Sequence, residues 1–350
     1  MLNRLPGEFE KQRATVMLFP YRCDVWRLEC APIRKTMVTL ANIIAEHQKV
    51  VFGVMPEMYD ALCKEYQLNP NVDVVKIKYN DCWSRDTVSS IVVGDQKNFF
   101  ASFRFNAYGD GLYQPWDDDN QLDEKLADYF DYDLKPYSIT LEGGNILPDG
   151  NGTLFAVKDA IVNDNRNPDF TEEQIENELK MATCSQRVVW IPHGLAYDET
   201  GGHIDNLMAF ADKNTVLLSW TDSKRSPQYS IVREAYKIIS ETVNCEGEHY
   251  KIIMIPLPPL YVRTEEDDEG IVDVPESLPR QTGDIVLETY INFALANGVV
   301  VVPQFGHKSK DEEALRIIGE AFPNRKIVPL CGREASLGGG GFHCLTKHIN

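Results

Sequence analysis

Apolar residues recur at helical spacing in several separate segments of the chain. Thr171 and Gln174 have the form of a capping box, and Ile175, Leu179 and Ala182 follow on one predicted helix face. A second helix is predicted from Ser226-Pro227, with the serine as N-cap, the proline as first helical residue, and Ile231, Ala235, Ile238 and Val243 on one face. Further helices are predicted within 26–47 and at 56–66, 120–130 and 310–322.

A short run rich in β-branched residues follows each predicted helix, which is the pattern of a buried strand. These strands are predicted at 50–55, 74–79, 138–141, 188–191, 252–257 and 326–330, and others at 14–19, 90–93, 99–105, 154–157, 206–210, 216–220 and 299–302. The pattern contains five helix-then-strand units and suggests a sixth at 26–55. Because no low-complexity linker interrupts it, residues 1–350 are predicted to form a single α/β domain of repeating architecture. The acidic run 265–269 is expected to be a surface excursion.

Composition narrows the class of protein. The 350 residues include 35 Lys and Arg against 53 Asp and Glu, a formal charge of −18, which disfavours binding to nucleic acid and to anionic lipid. No apolar run approaches the roughly 18 residues of a membrane span, and the first residues lack the apolar stretch of a secretory signal. Eight cysteines without a CxxC pair are typical of reduced thiols. We expect a cytoplasmic enzyme or binder of small molecules.

Polar residues follow the predicted strands at positions that a repeating fold would bring together. Asp86, Glu142, His203, Asp205 and Cys344 each come shortly after such a strand. Polar groups at equivalent strand ends of a repeated fold converge on one site. The sequence therefore predicts that these five side chains meet.

The cysteine among them needs help to become a nucleophile. Gly338-Gly339-Gly340-Gly341 allows close approach of the backbone to a ligand and leads to Cys344, although a flexible loop with an inert thiol has the same pattern. A free thiol has a pKa of about 8.5 and needs a cationic neighbour to ionise at neutral pH. His203 offers one, and if Ile204 points into the core from a strand, His203 and Asp205 share the opposite face. Seven dispersed histidines argue against a metal site.

The carboxylates suit two different tasks. Glu142, next to two glycines, fits a group that orients His203 and stabilises its protonated form, but a plain turn has the same sequence. Asp86 and Asp205 fit a pair that binds a planar guanidinium through bidentate hydrogen bonds. The alternative for Asp86 is a loop with a local ion pair to Arg85.

Five motifs in order carry a family resemblance: N-D-C-W-S-R-D (80–86), F-N-A-Y-G (105–109), L-E-G-G-N (141–145), D-E-T-G-G-H-I-D-N (198–206) and G-G-G-G-F-H-C-L-T (338–346). They resemble the agmatine deiminase and bacterial peptidyl-arginine deiminase family of the guanidino-group-modifying superfamily. The resemblance extends from about residue 5 to 346. It implies a five-bladed α/β-propeller of pseudo-symmetric ββαβ modules around a central active site, no metal or organic cofactor, and a homo-oligomer.

The resemblance also implies a reaction and residue roles. The reaction is hydrolysis of agmatine to N-carbamoylputrescine and ammonia through a covalent cysteine intermediate. The implied roles are nucleophile for Cys344, acid and base for His203, orientation of His203 for Glu142, guanidinium binding for Asp86 and Asp205, and contact with the substrate's chain and amine end for Trp83 and Glu199. Alternatives are deimination of free or C-terminal peptidyl arginine, amidino transfer by the same site, a Cys-His-Asp amidase, and an inactive binder of cationic metabolites.

The chain departs from the family pattern outside the five catalytic positions. Thr87-Val88 replaces Gly-Pro, Tyr108 replaces Trp, Gly341 replaces Asn, and Lys347-His348 replaces Gln-Gln. Arg104 stands where a small residue is common. A cation there would pair with a substrate carboxylate if it reached the pocket, so Arg104 leaves open the choice between agmatine and arginine.

Overall fold

The computed structural model describes residues 3–350 as a mixed α/β fold. The helices are α1 Ala31–Ala45, α2 Tyr59–Glu65, α3 Ser84–Thr87, α4 Ala107–Asp110, α5 Leu122–Phe130, α6 Glu172–Thr183, α7 Gln228–Glu241, α8 Lys308–Ala321 and α9 Arg333–Leu337. The strands are β1 Ala14–Leu18, β2 Lys49–Val54, β3 Val72–Lys76, β4 Ser90–Val92, β5 Phe99–Arg104, β6 Asp133–Thr140, β7 Ile146–Pro148, β8 Thr153–Val157, β9 Arg187–Ile191, β10 Met208–Asp212, β11 Thr215–Trp220, β12 Lys251–Pro256, β13 Tyr261–Val262, β14 Ile285–Val286, β15 Ala294–Ala296, β16 Val299–Gln304, β17 Lys326–Cys331 and β18 Lys347–Ile349.

One structural unit repeats along the chain. In β4-β5-β6, β7-β8-β9, β10-β11-β12 and β15-β16-β17, the first two strands are antiparallel, and a helix then leads to a third strand parallel to the second. The fifth sheet joins the two ends of the chain, because β18 pairs antiparallel with β1, and β2 and β3 continue it in parallel. Strands β13 and β14 form a separate two-stranded ribbon.

The repeat of the unit does not by itself show that the five sheets close into a ring. The strand pairings described for residues 3–350 lie within the individual sheets and record no hydrogen-bonded ladder from one of the five units to the next. The repeated unit is therefore established, whereas the five-bladed closed propeller stays a prediction.

The predicted alternation of helices and strands is confirmed, including the sixth unit, α1 followed by β2. The capping box also forms: the Thr171 hydroxyl accepts from the Gln174 amide nitrogen at 3.3 Å, and the Gln174 side chain accepts from the Thr171 amide nitrogen at 2.8 Å. Helix α7 differs in detail. It starts at Gln228. Of the predicted face, Ala235 is buried and Ile231 and Ile238 pack partly buried against the core, whereas Val243 lies beyond the helix end at Glu241.

One local prediction is wrong, and another holds in part. His203 and Asp205 do not stand on a strand: His203 precedes a 3-10 turn at Ile204–Asn206, and β10 begins only at Met208. Ile204 is nevertheless buried in the core, so the turn still directs its polar neighbours away from it. The acidic run at 265–269 lies at the surface as predicted, with Glu265, Glu266 and Glu269 exposed, except that Asp267 is buried and accepts a hydrogen bond from the Tyr261 hydroxyl at 2.7 Å.

The core lies between the sheets and the helices that connect their parallel strands. Val299–Val302 of β16 are completely buried, and each such side chain contributes about 1.5–3 kcal/mol by leaving water. This packing fixes the strand ends from which the polar loops emerge. None of the helices in the described part of the chain combines the length and the apolar character needed to cross a bilayer.

Candidate active site

The five predicted side chains are carried by loops and short turns that the sheets hold in place. Asp86 lies on α3, and Glu142 follows β6. His203 and Asp205 lie on the 3-10 turn before β10, and Cys344 lies in the loop before β18. Each is at most 5% exposed. Such burial of five polar groups needs mutual compensation, so the structure gathers them into one buried cluster.

Gly144 marks the point at which three of them converge. A Cβ atom at this residue would lie 2.7 Å from Asp86 Oδ1, 2.8 Å from His203 Nδ1 and 3.1 Å from Asp205 Oδ2. The first two distances are shorter than van der Waals contact allows. The glycine in the L-E-G-G-N motif is therefore required for the side chains to approach one another.

The two aspartates are fixed by different partners. Asp86 accepts hydrogen bonds from the Gly144 amide nitrogen at 2.8 Å and from the Tyr108 hydroxyl at 3.0 Å. Asp205 Oδ2 lies 2.8 Å from His343 Nδ1, while its buried Oδ1 has no hydrogen-bond partner among the described residues. A buried carboxylate oxygen without a partner is costly, which makes Oδ1 a natural acceptor for a ligand.

His203 is placed between two carboxylates. Its Nδ1 lies 3.7 Å from Asp86 Oδ1, and its Nε2 lies 3.6 Å from Glu142 Oε2. Burial acts to lower the pKa of His203, but Asp86 and Glu142 outweigh it and raise the pKa to about 9. The imidazole is thus held as a cation at neutral pH.

Arg166 holds Glu142 in turn. Its Nε donates to Glu142 Oε1 at 2.8 Å and to Oε2 at 3.0 Å, and its Nη2 donates to the Thr200 carbonyl at 2.6 Å. Burial acts to raise the pKa of Glu142, but Arg166 and His203 bring it below its ordinary value. Glu142 is therefore ionised, and its orientation is fixed from behind by Arg166.

The cysteine sits among acceptors and carboxylates. Cys344 Sγ lies 3.5 Å from Asp205 Oδ2, 3.2 Å from Asn292 Nδ2 and 3.4 Å from Asn292 Oδ1. Burial raises the pKa of the thiol well above its ordinary value, and the charges of Asp205 and Asp86 raise it further. The nearby carboxylates thus oppose ionisation of the thiol, and its activation by His203 stays a prediction.

The carboxylates themselves are not equivalent. Burial, with Asp205 and Glu142 nearby, raises the pKa of Asp86 to about 6 although His203 acts in the opposite direction. Burial also acts to raise the pKa of Asp205, but His343 brings it below its ordinary value. Both are ionised at neutral pH, so negative charge is concentrated beside Cys344; of the two aspartates, Asp86 lines the cavity that leads there, whereas Asp205 lies behind its wall.

A narrow cavity leads to this cluster. Its lining includes Trp83, Asp86, Tyr108, Cys344, Glu199, Arg280, Arg22, Asp81 and Gly338–Gly340. Trp83 packs against Trp26 with ring centroids 5.5 Å apart. At the same cavity, Arg280 Nη2 donates to Glu199 Oε2 at 2.8 Å. Gly339, at a φ of +102°, lets the loop pass this carboxylate, since a Cβ there would lie 2.4 Å from Glu199 Oε2.

The structure brings the five predicted catalytic side chains together and places Trp83 and Glu199 on the cavity beside them, but sequence reasoning missed several partners. Arg166, Asn292 and Arg280 were not predicted to act at the site. Their chemistry depends on long-range contacts that no local pattern reveals. Arg104 is exposed at the end of β5 and does not line the cavity, whereas Arg22 and Arg280 do. The alternative pairing of Arg85 with a nearby aspartate is also wrong, since Arg85 forms a buried ion pair with Glu8.

Comparison with known proteins gives a consistent assignment. The model of the Porphyromonas-type peptidyl-arginine deiminase family matches residues 4–349. A Listeria monocytogenes protein named as a candidate agmatine deiminase is 36% identical over 352 residues, which cover 99% of this chain and 94% of that protein. A protein of the same name from Latilactobacillus sakei is 36% identical over 351 residues, covering 99% of this chain and 95% of its own.

Solved structures agree with these relatives. The agmatine deiminase of Enterococcus faecalis superposes with a TM-score of 0.94 at 30% identity, covering 99% of this chain and 95% of its own. The family model, the relatives and this structure each span nearly the whole chain. The chain therefore belongs to the Porphyromonas-type peptidyl-arginine deiminase family and is an agmatine deiminase-like hydrolase.

Proposed function

We propose that the protein hydrolyses agmatine to N-carbamoylputrescine and ammonia through a covalent intermediate on Cys344. The observation that carries this proposal is the convergence of Asp86, Asp205 and His203 on Gly144, with the Cys344 sulfur 3.5 Å from Asp205 Oδ2. Two ionised carboxylates next to a thiol suit a planar cation whose carbon is to be attacked. The Enterococcus faecalis agmatine deiminase, at 30% identity, adds support for agmatine as substrate.

Binding of the guanidinium is the first step. Asp205 Oδ1 lacks a partner among the described residues and would accept from one guanidinium nitrogen. Asp86, held by Gly144 and Tyr108, would accept from another. Charge-assisted hydrogen bonds of this kind are about twice as strong as neutral ones, and together they would fix the carbon beside the sulfur.

The substrate then changes the ionisation of the thiol. Asp205 and Asp86 raise the pKa of Cys344 in the free protein, so the thiol is protonated there. A guanidinium placed between them would neutralise these charges and add a positive charge near the sulfur. Opposite charges favour the ionised form, so binding would lower the pKa of Cys344 and produce the nucleophile only when a cationic substrate is present.

The chemical steps balance with His203 as the proton carrier. The thiolate forms a C–S bond to the guanidinium carbon, the bond from that carbon to a terminal nitrogen breaks, and protonated His203 gives that nitrogen a proton so that ammonia leaves. Water then attacks the same carbon while His203 accepts one of its two protons. The C–S bond breaks and regenerates the thiolate, and the remaining hydroxyl proton passes to solvent as the carbonyl of the ureido product forms. Glu142, held by Arg166, would keep the imidazole oriented and basic enough for both transfers.

The far end of the cavity sets the substrate's end group. Trp83 would cover the methylene chain, and Glu199 would pair with the terminal ammonium of agmatine. Arg280 already holds one Glu199 oxygen, so the ammonium would use the other one.

Arginine, or a C-terminal peptidyl arginine, is the second candidate substrate. The buried Nε of Arg280 has no hydrogen-bond partner among the described residues, and Arg280 lines the cavity. A substrate carboxylate would find a donor there. Burial raises the pKa of Glu199 above its ordinary value despite Arg280, so a second carboxylate beside it would meet repulsion while Glu199 is ionised. This repulsion favours agmatine.

An ammonia-release assay with agmatine, arginine and a C-terminal arginyl peptide tests the proposal. We expect agmatine to exceed arginine in kcat/KM by at least about a hundredfold. Glu199→Gln should lower the ratio of kcat/KM for agmatine to kcat/KM for arginine, because it weakens the binding of agmatine. Arg280→Gln should also change this ratio. Arg104→Ala, outside the cavity, is the control and should leave the ratio unchanged. A preference for arginine that disappears in Arg280→Gln would establish the second candidate instead.

Two further expectations from the family resemblance concern the arrangement of the sheets and the assembly of the chains. We propose that the five sheets surround the active site as a closed propeller, and that the protein forms a homo-oligomer. Light scattering coupled to size exclusion tests the second, and a mass equal to one chain at micromolar concentration would contradict it.

A further inference from the structure

The side chain of Asn292 occupies an unusual position next to the proposed nucleophile. It is 1% exposed and lies in the segment between β14 and β15, remote in sequence from the loop of Cys344. Its amide touches the sulfur through both polar atoms, Nδ2 at 3.2 Å and Oδ1 at 3.4 Å from Sγ. Nothing in the reaction steps above uses this residue.

The hydrogen bonds around Asn292 determine which way its amide faces. Oδ1 accepts from the amide nitrogens of His343 at 3.0 Å and of Cys344 at 3.2 Å. Nδ2 donates to Asn206 Oδ1 at 3.0 Å. A rotation by 180° would set the NH₂ group against the two backbone N–H donors and Oδ1 against the Asn206 oxygen. One hydrogen of the NH₂ group is directed to Asn206, and the other faces both the Cys344 sulfur at 3.2 Å and the Asp205 carbonyl oxygen at 3.4 Å, of which the sulfur is the nearer.

A chain of hydrogen bonds anchors this arrangement. Asn206 Nδ2 donates to Asp198 Oδ2 at 2.9 Å, and the same carboxylate oxygen accepts from the His203 amide nitrogen at 2.9 Å. The amide of Asn292 thus connects the backbone of the proposed nucleophile to the turn that carries the proposed acid and base. Linked buried hydrogen bonds reinforce one another and restrict each side chain to one geometry.

Gly341 makes room for this contact. A Cβ atom there would lie 2.5 Å from Asn292 Oδ1 and 2.8 Å from its Cβ and Cγ atoms, well inside van der Waals contact. Any larger residue would push the amide away from the loop of Cys344. The last glycine of the run is therefore required by Asn292 and not only by the ligand.

We infer that Asn292 is a positioning residue for Cys344, which holds the sulfur in place through the loop backbone and donates a hydrogen bond to the thiolate. The inference rests on the proposed function, because it assigns the thiolate as the reactive form. The carboxylates of Asp205 and Asp86 act on the same sulfur, and Tyr108 lines the same cavity, so the amide of Asn292 supplies a neutral donor where the surrounding charges disfavour ionisation.

Alkylation of Cys344 by iodoacetamide in the absence of substrate tests this role. The rate follows the thiolate fraction, and mass spectrometry of the peptide that contains Cys344 separates it from the other seven cysteines. Asn292→Asp keeps the acceptor for the two backbone groups but replaces the donor by a charged oxygen. We expect the pH midpoint of alkylation to rise by about one unit or more, and kcat at neutral pH to fall about tenfold or more, with partial recovery at higher pH.

Asn244→Asp is a closely matched control. Asn244 is 2% exposed, its Oδ1 accepts from the amide nitrogens of Glu246 at 2.9 Å and Glu248 at 3.0 Å, and its Nδ2 donates to Asn214 Oδ1 at 2.8 Å. It thus has the hydrogen-bond pattern of Asn292 without a cysteine sulfur among these partners. This variant should lose stability to a similar extent but keep the alkylation midpoint of Cys344.

Two results would overturn the inference: an unchanged midpoint in Asn292→Asp, or an equal rise in Asn244→Asp. If Asn292→Asp does not fold, Asn292→Ala decides, with an expected rise of about half a unit, since water can replace part of the donor. An unchanged midpoint in that folded variant would also overturn it. Because no substrate is present, the readout stands even if the protein turns out to prefer another guanidino compound.

Discussion

Replacement of Arg166 by methionine tests how the buried cluster is held together. The Arg166 and Glu142 side chains are 4% and 0% exposed, and both Glu142 oxygens accept from Arg166 Nε. Removing one partner of a buried ion pair leaves an uncompensated charge and costs about 3–5 kcal/mol. Loss of the bond to Thr200 adds about 1 kcal/mol, so Arg166→Met should lower the free energy of unfolding by about 4–6 kcal/mol at pH 8.

The pH dependence of this deficit has a definite sign. In the wild type, the pKa of Glu142 lies below its ordinary value near 4.5, so its contribution to stability is present above that pH and is lost as the pH falls through the lowered value. In Arg166→Met, burial without the cation should raise the pKa of Glu142 above the unfolded value. Protonation then removes the buried charge, so the deficit relative to wild type should shrink between pH 8 and pH 5.

Urea unfolding followed by tryptophan fluorescence measures both effects. The double variant Arg166→Met with Glu142→Gln removes both charges and should regain at least about 2 kcal/mol relative to Arg166→Met alone. A deficit below about 1 kcal/mol, or a double variant no more stable than the single one, would refute the claim that Arg166 compensates Glu142.

Three further predictions concern separate features. Gly144→Ala places a methyl group 2.7 Å from Asp86 Oδ1, so kcat/KM should fall by about 10³-fold or more. Gly319→Ala, whose nearest contact would be at 3.5 Å, is the control and should keep its activity. Comparable activity in the two variants would contradict the geometry of the cluster. Because the pKa of Asp86 is about 6, kcat/KM should decline as the pH falls below that value, and this decline should be absent from the residual activity of Asp86→Asn; a wild-type profile flat down to pH 5 would contradict it. Thr171→Ala removes the capping box of α6 and should lower the free energy of unfolding by about 1 kcal/mol in the same urea assay, with kcat unchanged.

More of the fold than of the individual side-chain contacts could be predicted from the sequence. Hydrophobic spacing located every helix that connects parallel strands, because such helices and strands bury continuous faces. It missed β7, β13, β14, β15 and β18, which have two or three residues each and are too short to show a period. The pairing of β18 with β1 joins the two ends of the chain, and no local pattern contains that information.

The main residues of the candidate site could be predicted from the sequence for a related reason. Glu142, His203 and Cys344 lie close in sequence to glycines in short motifs, since backbone and side chains crowd around Gly144 and Gly339. Residues that hold these groups in place through hydrogen bonds have no such pattern in the sequence. Arg166 and Asn292 reach Glu142 and Cys344 from other parts of the chain, and only the packed structure shows what they hold.

Ammonia release from agmatine by Cys344→Ser, compared with wild type at equal and saturating substrate, tests the central proposal most directly. The serine hydroxyl is a far poorer nucleophile, whereas Asp86 and Asp205 remain to bind the guanidinium. The variant should bind agmatine, as measured by calorimetry, but release ammonia at least about 10³-fold more slowly than wild type. A folded Cys344→Ser variant that releases ammonia at a rate close to that of wild type would contradict covalent catalysis by Cys344.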